Sequence, residues 1–311
     1  MVHPIIAELC DIAKRDPLPP DHTSSHWAVY GEQTRAEIDK DGLHLHGVGF
    51  GDYQRRLLQW LPAIVGRWSH RKASSECRSF ADTHTTAIRL ARDLRLGYTY
   101  DVWRQTVALS VLRDHWEEYD LQPQSFLMIG DGHGFLGALV RRVIPDAHIY
   151  SVDLPKMLVF QAVTYAHSDP VACLNVGASA ESDVDFLKPE DIENLPSEID
   201  CAVNVASMAE MKAESIHSYF NCLRARSAGH SRFYCVNRAT KTHPDGTKIS
   251  FSAYPWKPAD EVFIDGHCPY YSHFWSMNTA PDGPRFAGVR VPFLNAFDGP
   301  VLHRLTRLAD A

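Results

Sequence analysis

The run from Leu127 to Pro155, LMIGDGHGFLGALVRRVIPDAHIYSVDLP, restricts the folds open to this chain more than any other stretch. Four of the 18 glycines, Gly130, Gly132, Gly134 and Gly137, fall within eight residues of it, so the backbone there has to approach something closely. An apolar stretch of strand length, FLMI, comes before them. FLGALVRRV follows with helical spacing, its Phe135, Leu136, Leu139, Val140 and Val143 on one side. HIYSVD then reads as a second strand ending at Asp153. Strand, glycine turn, helix and strand make a βαβ unit, and the turn lies where open α/β sheets bind ligands. Glycines there permit positive φ and close approach, and the helix offers its free first amides. A carboxylate at position 153 is placed to accept hydrogen bonds from two ribose hydroxyls.

Short apolar runs continue to alternate with helical patterns beyond this unit: ACLNV, CAVNVA and RFYCVNR. Such alternation predicts a mostly parallel sheet, hence an α/β fold of the Rossmann-like kind. Residues 1–95 read differently, as a mostly helical N-terminal domain with one hairpin around Asp41-Gly42, and residues 96–311 as the ligand-binding domain. DVWRQTVALSVLRDHWEEY predicts a long helix with Trp103, Val107 and Val111 on one apolar face. Ala239–Ser272 lacks periodicity and reads as a long aromatic loop. Formal net charge is -7, which excludes a protein held to nucleic acid mainly through phosphates. Seven scattered cysteines without C-x-x-C, the lack of a secretory leader and the lack of a membrane-length apolar run predict a reduced, cytoplasmic protein with no membrane partner. His44 and His46 point the same way along a strand, but no third ligand lies near them in sequence, so no metal is expected.

Two cofactors fit the glycines. GHGFLG is a literal G-x-G-x-x-G, with Asp153 at the spacing of a dinucleotide fold, which would make the chain an NAD-dependent oxidoreductase. The other reading, Gly130, Gly132 and Gly134 as G-x-G-x-G with Asp131 inside the turn, resembles motif I of class I S-adenosylmethionine (SAM) methyltransferases. Asn204, Ser207, Glu210 and Met211 form an Asn-x-x-Ser-x-x-Glu-Met run that resembles the putative sugar O-methyltransferase family, as do IYSVDLPKML and FYCVNR. This resemblance covers about Gln124 to Asn278. The size, the acidic balance and the aromatic loop are also similar to the aminoglycoside N-methyltransferases of gentamicin biosynthesis. The resemblance implies SAM as cofactor and a small sugar-like acceptor. An amino group of an aminoglycoside-type sugar, in antibiotic biosynthesis, is the favoured acceptor and a sugar hydroxyl the alternative.

On this reading Gly130, Asp131, Gly132, Gly134, Asp153, Ser179, Asn204 and Ser207 are the cofactor-binding candidates, with Ser179 placed beside the adenine after the third strand. His133 is expected to neighbour the cofactor, and Tyr98 and Tyr100 to approach its methionine end. Glu210 and His273 are the catalytic candidates. Each is set to take a proton from the acceptor or to orient it. Asn237, Arg238, Tyr254, Trp256 and Tyr271 are the substrate-binding candidates, the last three on the presumed lid.

Overall fold

The computed structural model describes residues 2–15, 22–31, 34–39, 42–46, 73–96, 100–226, 230–268, 285–286, 289–290 and 300–310. In the N-terminal part, α1 (Pro4–Arg15) and the short α2 (Ser25–Tyr30) precede an antiparallel hairpin of β1 (Arg35–Asp39) and β2 (Gly42–His46), with Asp39 opposite Gly42. Two longer helices follow, α3 (Phe80–Asp93) and α4 (Tyr100–Glu118). The βαβ series comprises β3 (Ser125–Ile129), α5 (Phe135–Val143), β4 (His148–Val152), α6 (Pro155–Ser168), β5 (Leu174–Val176), β6 (Val184–Leu187), β7 (Cys201–Val205), α7 (Ala213–Arg226) and β8 (Arg232–Arg238). β9 (Thr240–Thr242) and β10 (Lys248–Ser250) form a second hairpin, and β11 (Glu261–His267), β12 (Arg285–Phe286), β13 (Val289–Arg290) and β14 (Val301–Arg307) complete the order.

Eight strands form the central sheet in the order β11-β14-β8-β7-β3-β4-β6-β5. Only β14 runs against the others; it pairs antiparallel with both β8 and β11. The chain builds outward from β3 in two directions, first through β4 and β6, then through β7 and β8, so the strand order reverses between β3 and β7. A crevice at the carboxyl ends of those two strands is the usual ligand site of such a sheet.

Side-chain alternation sorts residues between the two faces. Phe126, Met128, Ile149 and Val203 join α1, α3, α4, α5 and α6 in one core, while Leu127, Ile129, Tyr150 and Phe233 join α7 in the other. The N-terminal helices thus share a core with the sheet. The spacing in α4 predicted one apolar face, but residues 102–112 are buried except at 104. Its polar Thr106 and Ser110 are accommodated by hydroxyls that donate back to the carbonyls of Val102 and Thr106 at 2.6 and 2.7 Å. No helix among the described residues is long and apolar enough to cross a membrane.

The structure corrects two readings here. Ala239 to Cys268 is not a loop: it holds the β9–β10 hairpin and the edge strand β11. ACLNV is not the third strand of the crevice either. It ends in edge strand β5, and β6 lies between it and β4. The sequence concealed β6 because Asp185 interrupts its apolar run. That carboxylate is buried yet accepts from Ser182 Oγ (2.6 Å), Asn175 Nδ2 (2.9 Å) and the Ser179 amide (3.0 Å), with His148 Nε2 at 3.0 Å.

Candidate functional site

The crevice at the reversal point encloses about 1030 Å³ of empty space, open solvent at its mouth included. Its floor is the glycine turn with Asp153 and Leu154. One wall is Asp101, Val102, Arg104 and Gln105 of α4, and the other runs from Ser207 through Glu210, Met211 and Ser215 to Tyr219. Trp27 of α2 and His22 just before that helix border it, and Pro189 closes the end of β6.

Gly130, Gly132 and Gly134 have φ of +67°, +58° and +78°, conformations that side chains rarely adopt. At Gly130 a Cβ would also stand 2.2 Å from Ser207 Oγ. Gly137 serves packing, since a Cβ there would meet the Tyr165 hydroxyl at 1.8 Å. Asp131 turns its carboxylate onto its own helix, accepting from the amides of Leu136 (3.2 Å) and Gly137 (2.8 Å). Burial nevertheless lifts its pKa to about 7. Asp153 accepts from the Leu154 amide and from Gln161 Nε2, both at 2.8 Å, and burial lifts it to about 7 as well. His133 stacks on Phe160 with ring centroids 4.9 Å apart and, driven down to about 3 by burial, is a neutral imidazole.

Glu210 stands in a single 3₁₀ turn after β7. Lys241 Nζ donates to its Oε1 at 2.6 Å, and His26 Nε2 lies 3.5 Å from the same oxygen. Burial pushes the Glu210 carboxyl up, but Lys241, then His26 and Arg104, outweigh it and hold the group below the ordinary glutamate value. Burial lowers His26 to about 4 despite Glu210, so it is neutral near pH 7. Ser24 Oγ donates to the Glu210 carbonyl, fixing the start of α2 beside the crevice.

The structure therefore brings Gly130, Asp131, Gly132, Asp153, Ser207 and Glu210 together around one crevice. Gly134 shapes the turn against Gln161. Six sequence candidates fall elsewhere. Ser179 belongs to the loop between β5 and β6, bound to Asp185, because the strand preceding it is the edge strand. Asn204 is fully buried and donates to the Ile129 carbonyl at 2.8 Å. Asn237, buried beside it, donates to Asn204 Oδ1 (2.8 Å) and accepts from the Ala209 amide (3.0 Å). These two asparagines tie together the carboxyl ends of β3, β7 and β8, and Ser207 joins them by donating to the Ile129 carbonyl at 3.0 Å. Tyr254 and Trp256 pack on Phe220 in the α7 core instead of covering the crevice. Arg238, at the end of β8 opposite Val301, is half-buried and does not line the crevice. Tyr98, Tyr271 and His273 lie outside the described residues, as does the side chain of Tyr100.

Sequence reasoning missed Asp101, Arg104, Gln105, Ser215, Tyr219, Trp27 and His26. The α4 residues did leave a signal: Asp101, Arg104 and Gln105 stand one helical turn apart at the start of the helix, on one side of it. Gln105 Oε1 and Ser215 Oγ are buried polar atoms without a hydrogen-bond partner. Such atoms cost free energy unless something else satisfies them.

No family model matches the chain, and no curated protein matches it in sequence. Solved structures resemble it loosely. One is a SAM-dependent methyltransferase from Aquifex aeolicus (12% identity, 65% of this chain and 89% of that one, TM-score 0.39). Another is magnesium protoporphyrin IX methyltransferase from Synechocystis PCC 6803 with bound SAH (12% identity, 76% and 99%, TM-score 0.39). A third is precorrin-6y C5,15-methyltransferase from Geobacter metallireducens GS-15 (13% identity, 65% and 86%, TM-score 0.37). At such identities and TM-scores these likenesses establish neither activity nor substrate for this chain.

Proposed function

We propose that the chain is a SAM-dependent methyltransferase acting on a small molecule. The observation that carries this reading is the use of the α5 amides. In a dinucleotide site the helix N-terminus binds pyrophosphate. Here the Asp131 carboxylate already accepts from Leu136 and Gly137, so a pyrophosphate would meet a carboxylate instead of free donors. Four carboxylates line the crevice, Asp101, Asp131, Asp153 and Glu210. Even with Asp131 and Asp153 lifted to about 7 by burial, that set, which among the described lining residues faces the one guanidinium of Arg104, suits a sulfonium cofactor better than an anionic dinucleotide.

The residues present fit SAM. Asp153 would accept from the ribose hydroxyls, the positive-φ glycines leave room for the chain of the cofactor, and Leu154, Pro189 and Tyr219 offer apolar surface for the adenine. The buried partnerless oxygens of Gln105 and Ser215 are further groups for a ligand to satisfy. When bound, SAM supplies a methyl group made electrophilic by its sulfonium sulfur. The chain contributes positioning, which is where most of the rate of such a displacement arises. Glu210, held ionised by Lys241, is a weak base but a strong hydrogen-bond acceptor, so it orients the acceptor's N–H or O–H.

The acceptor we favour is an amino group of an aminoglycoside-type sugar, with a sugar hydroxyl as the alternative. Its support is the sequence resemblance together with the Glu210 carboxylate on the wall facing α4. Because Asn204 and Ser207 serve the fold, within that run the acceptor assignment rests on Glu210 alone.

Calorimetric titration with S-adenosylhomocysteine and, separately, NADH tests the cofactor. S-Adenosylhomocysteine is expected to bind and NADH not to; the reverse result overturns the reading. Mass spectrometry of amino sugars and neutral sugars incubated with SAM then decides the acceptor.

A further inference from the structure

The geometry points to the first turns of α4 as a clamp for the zwitterionic amino-acid end of the cofactor, with Gln105 as the positioning residue that accepts from its ammonium. The inference rests on the SAM reading and adds residues outside the glycine motif.

Asp101, Arg104 and Gln105 all line the crevice from one helix, within five positions. Arg104 Nη2 lies 2.7 Å from Asp101 Oδ1, and the two side chains are 13% and 23% exposed. Arg104 lines the same crevice as Asp131 of the glycine turn and Glu210 of the far wall, and its charge acts on both. Gln105 is 5% exposed, and its Oε1 is buried without a partner. In the same helix Thr106 and Ser110 bond back to the preceding turn, and Trp116, whose Nε1 is also without a partner, packs in the core, whereas Gln105 lines the crevice. If Gln105 only filled space, methionine of nearly the same volume would do so without leaving a carbonyl oxygen orphaned. An acceptor oxygen and a carboxylate one helical turn apart suit an ammonium group, and a guanidinium beside them suits a carboxylate. The class of group that needs both is an α-amino acid.

Two adenosine ligands separate this role from a structural one. S-Adenosylhomocysteine carries the amino-acid end, and 5′-methylthioadenosine lacks it. Gln105→Met is expected to weaken S-adenosylhomocysteine about tenfold to a hundredfold, the usual range for a hydrogen bond to a charged group, and to leave 5′-methylthioadenosine unchanged. Gln105→Glu, which keeps an acceptor oxygen at that position, is expected to retain the preference for S-adenosylhomocysteine. Equal weakening of both ligands by Gln105→Met would mean a structural role and overturn the inference, and so would no change in either. If the wild-type protein binds 5′-methylthioadenosine but gains nothing from the amino-acid end, the clamp is wrong while the adenosine reading of the crevice stands. If it binds neither ligand, the cofactor reading fails and the clamp with it.

Discussion

Asp153 and Asp260 are each 9% exposed, yet their environments treat the charge in opposite ways. Asp260 takes both arms of the Arg224 guanidinium, at 2.6 and 2.9 Å, and two amides, Lys257 at 2.7 Å and Ala309 at 3.0 Å. Burial alone would raise its pKa, but these donors lower it below the ordinary value. Asp153 has the Leu154 amide and Gln161 at 2.8 Å, is also helped by the Gly132 amide, but has no cation and lies near the Asp131 carboxyl, and burial carries it to about 7. The first is a closed network that fastens the end of the chain to α7. The second is left short of donors in a crevice that also holds the partnerless Gln105 Oε1 and Ser215 Oγ. Unmet polar capacity gathered in a concave site marks where a ligand belongs, whereas a satisfied buried charge marks only where the fold is held.

The largest effect should come from breaking the closed network. Arg224→Ala leaves Asp260 buried without its cation, which costs about 3–5 kcal/mol. Urea unfolding is expected to show that loss, while folded molecules bind S-adenosylhomocysteine as before. If affinity falls by as much as stability, the two regions are not independent and the comparison breaks.

A smaller effect is expected at Gly130, where the crevice has no slack. A Cβ would overlap Ser207 Oγ, and the residue's φ is positive, so Gly130→Ala should cost about 1–3 kcal/mol and weaken S-adenosylhomocysteine. Adding Ser207→Gly removes the overlap and should return part of the stability, although the φ strain stays. No recovery in the double variant would mean that conformation rather than contact makes glycine necessary there.

The effect that bears most directly on the comparison is the pH dependence of Asp153. Its carboxyl titrates near 3.8 when unfolded and near 7 when folded, so folding takes up a proton between those values. Stability owed to this group is therefore full below about pH 4 and is lost as the pH rises to 7. Asp153→Asn cannot ionise. The ligand-free variant is expected to melt with the wild type near pH 4.5 and above it at pH 8, by differential scanning fluorimetry. A constant difference across pH would show that Asp153 is compensated after all, as Asp260 is.

Much of the sheet was legible in the sequence because burial on both faces makes its inner strands continuous apolar runs. FLMI, HIYSV, CAVNV and RFYCV could hardly be anything else. β6 was not legible, because the residue that spoils its pattern, Asp185, is compensated by Ser182, Asn175 and His148 from other elements. That one omission moved the adenine assignment to Ser179. Tyr254 and Trp256 were misread for a related reason. Aromatic residues in an aperiodic stretch fit a lid and a core equally well, and only the position of α7 decides between them.

By itself, the sequence determined the strand–turn–helix–strand–Asp unit and the residues that floor the crevice. Its information there is local: the glycine positions, the helix start and Asp153 all lie within one βαβ unit, where spacing along the chain fixes spacing in space. Tertiary structure decided the rest. Asn204 and Asn237 resemble ligand contacts in one dimension and are ties between strand ends in three. Asp101, Arg104 and Gln105 reach the glycine turn only because α4 packs along the sheet, and the low basicity of Glu210 exists only because Lys241 and His26 arrive from segments distant in sequence. Desolvation and charge pairing are set by what surrounds a group, and the neighbours that set them here come from distant parts of the chain.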